Sequence, residues 1–165
     1  MVSISSNTRL SRLSVKVILT QTDTTVGFLS QDARKLQEIK TRSSSKPFIK
    51  VYKNFKTLLA SGHRIPNKYK NNVRRSKRTT FIVKNRAFRV ANTSLDSQIL
   101  RDNIWHYSTS ANESGKNFDP NFCIEKADII IENKDGLSQN CSSSLYKINH
   151  KKRKKIRWQN SFKHF

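Results

Sequence analysis

Four small-polar or basic signatures punctuate the sequence, and each carries side chains able to bind anions or orient a polar ligand. They are Thr22-Asp23-Thr24-Thr25-Val26-Gly27, Lys40-Thr41-Arg42 with Lys46-Pro47 following, Thr109-Ser110-Ala111-Asn112-Glu113-Ser114-Gly115, and Ser142-Ser143-Ser144-Leu145 with Arg157 further on. Cations that neutralise phosphates, beside hydroxyls and amides that orient polar groups, suit a phosphorylated ligand. Each signature also has a plain structural reading: an Asx or ST turn, a cation pair at a helix C-terminus, a serine-rich loop. Other chemistries are missing. Gly27, Gly62, Gly115 and Gly136 are spaced too widely for a dinucleotide fingerprint, and Gly115-Lys116-Asn117 lacks the upstream glycine and the hydroxyl of a P-loop. His63, His106, His150 and His164 form no metal-binding pair, so no metal site is expected. Cys123 and Cys141 have no Cys-x-x-Cys partner, which points to a reducing cytoplasm and away from disulfides or cysteine-bound zinc.

The elements that must position these residues follow from periodicity. Val15 to Thr20 reads as a buried strand, Gln31 to Lys40 as a helix burying Ala33, Leu36 and Ile39, and Phe48 to Tyr52 as a second strand opened by Pro47. Asn54 caps a helix over Phe55 to Ala60 with Gly62 as its stop; the basic segment to Lys77 is open between helix and loop. Thr79 to Lys84 and Ala87 to Ala91 pair through an Asn85-Arg86 turn, and Thr93 or Ser94 caps a helix through Arg101. Further strands are expected at Ile104 to Tyr107, Ile129 to Ile131, Leu145 to Ile148 and Ile156 to Trp158. Strands alternating with short helices define an α/β domain, and ligands of open α/β sheets favour the crevice at strand ends.

The 165 residues suit one domain, with a lean apolar fraction of 35%. The first fourteen residues form a partly ordered N-terminal segment without the apolar stretch of a secretory signal, and no span is apolar enough for a membrane. The domain is expected over 15–158, with a basic tail over 159–165. Charge is the strongest compositional signal: 33 Lys+Arg against 11 Asp+Glu give +22. From Ile39 to Leu95 there is no acid, and none from Gly136 to the end. Arg74, Arg75 and Lys77 in the first stretch and Lys151, Lys152, Arg153, Lys154 and Lys155 in the second are candidate RNA-binding residues, because each neutralised phosphate releases counterions.

Taken together, in order and spacing, the signatures resemble the YrdC/TsaC family of L-threonylcarbamoyladenylate synthases. Thr22 to Gly27 matches its Pro-Thr-Asp-Thr-x-Tyr-Gly loop, Lys40/Arg42 its Lys-x-Arg signature, and Thr109 to Gly115 its Thr-Ser-Ala-Asn-x-Ser-Gly loop. Thr80, Arg89 and Ser143 with Arg157 match further positions in the same order. Gln21, Val26, Ser43 and Ala91 depart from the family pattern, Val26 standing where a tyrosine is expected. The resemblance implies a single-domain YrdC-like twisted mixed sheet flanked by short helices, with an open basic crevice. It implies an enzyme that joins L-threonine, bicarbonate and ATP into threonylcarbamoyl-AMP and pyrophosphate, with Mg2+ brought by the phosphates. A separate threonylcarbamoyl transferase complex would then act on tRNA.

Residue by residue, the resemblance assigns catalysis to Lys40 and Arg42, with ATP held by Arg42, Lys46, Thr80, Asn112 and Arg157. Threonine or its carbamate would be oriented by Thr24, Ser110 and Ser143. Arg89 is the counterpart of the family's Arg-x-Pro arginine. The alternative is a non-catalytic relative on the same fold that binds double-stranded RNA or tRNA through its cationic runs.

Overall fold

Successive side chains of each strand point to opposite faces, and the residues that fall on the two faces differ, which makes the sheet two-sided. The computed structural model describes residues 15–41, 47–91, 100, 103–132 and 134–157. Their order is β1 (Ile18–Gln21), β2 (Val26–Ser30), α1 (Ala33–Lys40), β3 (Ile49–Tyr52), α2 (Phe55–Ala60), a 3-10 turn (Asn67–Tyr69), α3 (Lys70–Arg75), β4 (Thr79–Val83) and β5 (Arg86–Val90). Then come β6 (Trp105–Ser110), α4 (Pro120–Lys126), β7 (Ile129–Ile131), β8 (Ser144–Ile148) and β9 (Arg153–Arg157). The described strands form one mixed sheet in the order β7-β1-β2-β6-β3-β5-β4-β8-β9, the α/β architecture expected from sequence.

Local chemistry sets the element ends. The Asp32 carboxylate accepts from the backbone N–H groups of Arg34 and Lys35 and starts α1, which ends at Thr41 in a left-handed conformation (φ 44°). Asn54 caps α2 by accepting from Thr57 N–H, as its position in the sequence suggests. Asp119 caps α4 with Pro120 at its first turn, a start signal the sequence reading passed over.

Other boundaries moved. β2 was not anticipated, because Val26 to Ser30 has no alternation and is buried on both faces. The hairpin between β4 and β5 turns at Lys84-Asn85, both at positive φ, rather than at Asn85-Arg86. β6 runs to Ser110, so Thr109 and Ser110 of the third signature are strand rather than loop. The basic run Arg153–Lys155 lies in β9 itself, earlier than the strand expected at Ile156 to Trp158. The helix expected from Thr93 or Ser94 to Arg101 falls almost wholly outside the described residues, as do the terminal segments.

One face of the sheet is apolar and covered by helices. Leu19 and Phe28 pack with Leu36 of α1 and Cys123 of α4; Tyr52, Phe81 and Phe88 pack with Leu58 of α2 and Val73 of α3. Strand register puts a different set on the opposite face: Thr20, Gly27 and Ser110 share one row, and His106, Val51 and Arg89 another. Of these, Ser110 and Arg89 reach the surface that a polar ligand would meet, whereas Thr20 and Val51 are buried.

His106 is sealed within that face as well. It is 3% exposed and neither ring nitrogen has a hydrogen-bond partner. Burial first, and the Arg89 charge second, lower its pKa from 6.5 to about 4. The folded protein therefore binds fewer protons than the unfolded chain between these values, so stability present above pH 6.5 is lost as pH falls toward about 4. The expected loss is on the order of 3 kcal/mol. Urea titrations across this window should show it in the wild type and show it largely removed in His106→Leu; identical pH dependence in the two proteins contradicts the assignment.

Candidate functional site

A cleft of about 250 Å³ opens on the polar face. Five separate parts of the chain build it: the Thr22–Thr25 loop after β1, Pro47 to Ile49 entering β3, Arg89 of β5, Ser108 to Ser110 of β6, and Ser142, Ser143 and Arg157 from the β8–β9 hairpin. The wall between the first loop and β6 requires a glycine. A Cβ on Gly27 would lie 3.0 Å from the Thr109 carbonyl oxygen and 3.1 Å from Thr22 Cγ2. Thr22 organises its own loop, its Oγ1 donating to Thr25 O at 2.7 Å and accepting from Thr24 N–H at 3.2 Å. This is the ST turn considered from sequence, now serving as a cleft wall.

One hydrogen-bonded chain crosses the floor. Arg89 Nη1 pairs with Asp23 Oδ1 at 2.5 Å, both side chains 9% exposed, and Arg89 Nη2 donates to Thr80 Oγ1 at 3.2 Å. Thr80 Oγ1 shares a hydrogen bond with Ser143 Oγ at 3.0 Å. Arg157 then donates to Ser143 twice, Nε to the carbonyl at 3.1 Å and Nη2 to the hydroxyl at 3.2 Å. Burial, with the Arg89 charge adding to it, lowers the pKa of the Arg157 guanidinium. Two guanidiniums thus share one end of a hydroxyl-lined cleft, a setting that favours an anion.

A second lobe of about 190 Å³ adjoins the first and shares Thr25, Ser110 and Ser142 with it. Its lining is different: Asn112, Gln139 and Asn140 supply amides, while Val26, Ala111 and Phe118 supply apolar surface. Lys40 stands behind this lobe rather than in its lining. Its ammonium donates to Ser110 O at 3.0 Å, to Asn112 Oδ1 at 2.8 Å and to the Asn112 carbonyl. Asn112 Oδ1 also accepts from Ser110 Oγ at 2.6 Å, and Asn112 Nδ2 donates to Lys116 O at 2.6 Å. The lysine is 4% exposed and fixes the loop from its buried side.

Of the residues singled out in the sequence, Thr24, Ser110, Ser143, Arg89 and Arg157 line the first lobe, and Thr80 bonds to two of them from the floor. Asn112 lines the second lobe, and Lys40 holds its loop. Arg42 and Lys46 lie outside the described residues. Nothing in the sequence joins Asp23 to Arg89 or brings Phe48, Phe118, Gln139 and Asn140 to the site. No periodicity or motif links positions so far apart.

The cationic runs meet at the other end of the sheet. Lys68 Nζ donates to Lys151 O at 3.0 Å, bringing the 3-10 turn and α3, with Arg74 and Arg75, against the β8–β9 hairpin. Arg153 and Lys155 lie over the Tyr146 ring at 4.9 and 5.4 Å, while Lys147 and Lys154 pair on the opposite side of the ribbon. Lys77 is exposed between α3 and β4. Among the described residues no helix is long and apolar enough to cross a membrane.

With its mixed sheet and helices, the chain has the fold of YrdC-like proteins. No family model matches it, and no curated protein matches it in sequence. Solved structures do. P. abyssi Sua5 complexed with L-threonine superposes with a TM-score of 0.73 at 17% identity, over 94% of this chain and 55% of that one. E. coli YciO gives 0.71 at 14% identity over 94% and 89%, and T. kodakarensis HypF gives 0.75 at 14% over 98% and 25%. The chain thus spans just over half the length of the Sua5 structure it resembles.

Replacing Lys40 by methionine removes three donors from the 110–112 loop. The expected cost is about 3 kcal/mol, because buried charge-assisted hydrogen bonds are lost and their acceptors left unpaired. Hydrogen exchange should quicken at Ala111 and Lys116 more than in β4 or β5. Unchanged stability and exchange would contradict this role.

Proposed function

We propose that the chain is an L-threonylcarbamoyladenylate synthase, converting L-threonine, bicarbonate and ATP to threonylcarbamoyl-AMP and pyrophosphate. The observation that carries this reading is the pair of adjoining lobes with a shared wall and different linings. The hydroxyl-and-guanidinium lobe suits a small amino acid carrying a carboxylate. The amide lobe with Phe118 suits a nucleotide, since amides pair with base edges and an aromatic ring packs on a base face. The fold likeness supports the same reading, including a Sua5 structure that holds L-threonine.

In this reading the threonine amine adds to carbon dioxide with loss of a proton to solvent, or to bicarbonate with loss of water, and the resulting carbamate oxygen attacks the α-phosphorus of ATP. Pyrophosphate leaves with the electrons of the broken P–O bond. Nothing in such a displacement requires a protein nucleophile; positioning and charge stabilisation suffice. Thr24, Ser110 and Ser143 orient threonine or its carbamate, with Thr80 below them. Arg157 meets the α-phosphate, which carries a single charge, Arg42 and Lys46 meet the other phosphate oxygens, and Asn112 contacts the nucleotide on a loop that Lys40 keeps in place. The described cleft offers hydroxyls but no carboxylate to a divalent cation, Asp23 being held by Arg89, so Mg2+ would arrive on the triphosphate and be held mainly by it. Pyrophosphate release should require threonine and bicarbonate together and fall roughly 100-fold in Arg157→Ala. Folded protein with Mg2+ that releases none above the Arg157→Ala background overturns the reading.

A second reading, binding of double-stranded RNA or tRNA, is favoured by the contact that joins the two cationic runs. The aromatic rings of this region are packed or covered by cations, which suits a duplex backbone better than stacking on single-stranded bases. The two readings are compatible on one chain. Log-log salt titration of a duplex RNA should lose about 4 units of slope when Lys151, Lys152, Lys154 and Lys155 are all replaced by glutamine. A slope unchanged by the substitutions counts against this surface.

A further inference from the structure

The charges around the cleft are not simply additive, because one of its two arginines already has an anionic partner. Arg89 reaches Asp23, Thr80 and, at 3.4 Å, Thr24, so both of its terminal nitrogens have protein partners, one of them anionic, while its buried Nε has none. Arg157 bonds only to the neutral groups of Ser143 among the described residues. Among the described residues, two guanidiniums less one carboxylate leave one net positive charge at this end. The carboxylate sits on the first loop, and the guanidinium it holds sits on β5, so the pair also ties that loop to the sheet floor.

We propose that Asp23 is a positioning residue that sets the charge of the cleft: it aims Arg89 and cancels its charge, so that this end accepts a singly charged group such as a carboxylate, carbamate or phosphodiester rather than a multiply charged phosphate. A carboxylate and a guanidinium so close, both shielded from water, hold each other more firmly than exposed partners do. Moving the carboxylate would move Arg89, and with it the Thr80 hydroxyl that orients Ser143 and the Arg157 fork. Removing its charge would leave two guanidiniums facing the ligand. The Asp23 role therefore separates into two parts, one geometric and one electrostatic, which different substitutions isolate. Only the threonine measurement below rests on the reading under Proposed function.

The test is calorimetric titration of inorganic pyrophosphate and of L-threonine into wild-type protein, Asp23→Asn and Asp23→Glu, with folding checked by circular dichroism. In Asp23→Asn pyrophosphate should bind roughly 5-fold more tightly, with a steeper salt dependence, and threonine more weakly. In Asp23→Glu, where charge is kept and the guanidinium displaced, pyrophosphate should stay within about 2-fold of wild type while threonine weakens about 10-fold. A folded Asp23→Asn protein that binds pyrophosphate as wild type does overturns the charge-setting role. If Asp23→Asn does not fold, Asp23→Glu decides, and threonine affinity equal to wild type overturns the positioning role. A wild-type protein that takes up no threonine overturns the synthase reading instead, and the pyrophosphate titrations then judge Asp23 alone.

Discussion

A buried guanidinium has to be paired, and the pairing of Arg89 organises the rest of the site. An isolated charge at that depth would cost several kcal/mol, so Asp23 and Thr80 are drawn to it from a loop and a neighbouring strand. Those two contacts carry consequences outward. Asp23 fixes the start of the first loop, whose hydroxyls form one wall; Thr80 fixes Ser143, whose hydroxyl and carbonyl receive Arg157. The floor of the cleft is thus one hydrogen-bonded chain joining the first loop, β4, β5 and the β8–β9 hairpin rather than a set of independent side chains.

The β8–β9 hairpin links this unit to the cationic surface. It delivers Ser143 and Arg157 to the cleft at one end, while its turn and outer strand carry Lys151 to Lys155. Because side chains alternate along a strand, the same ribbon sends Arg153 and Lys155 toward Tyr146 and Lys154 to the opposite face. One short element therefore serves both the small-molecule reading and the RNA reading. That explains how a chain of +22 can carry a cleft whose described charges nearly balance.

Much of the arrangement was legible in the sequence, and the exceptions have physical causes. Periodicity located α1 and the β4–β5 pair, and the Asn54 cap located α2, because their signals are local. The order of the polar signatures brought Thr24, Thr80, Ser110, Ser143 and Arg157 to a common region, as the fold resemblance implied. β2 escaped notice because a strand buried on both faces has no alternation to read. Asp23 was quoted as part of a motif yet given no partner, since its pairing with Arg89 depends on which strands lie side by side. Lys40 shows the same limit from the other direction. Its signature suggested a phosphate ligand, while its ammonium is turned toward the carbonyls of the 110–112 loop, a position that only the packing of α1 against the sheet discloses.

The central claim is that amino acid and nucleotide occupy the two lobes side by side. A crystal structure grown with L-threonine and a non-hydrolysable ATP analogue tests it most directly. The account predicts threonine against Thr24 and Ser143, the α-phosphate at Arg157, and the base beside Asn112 and Phe118. Both lobes empty, or the nucleotide held only by the β8–β9 lysines, would contradict it.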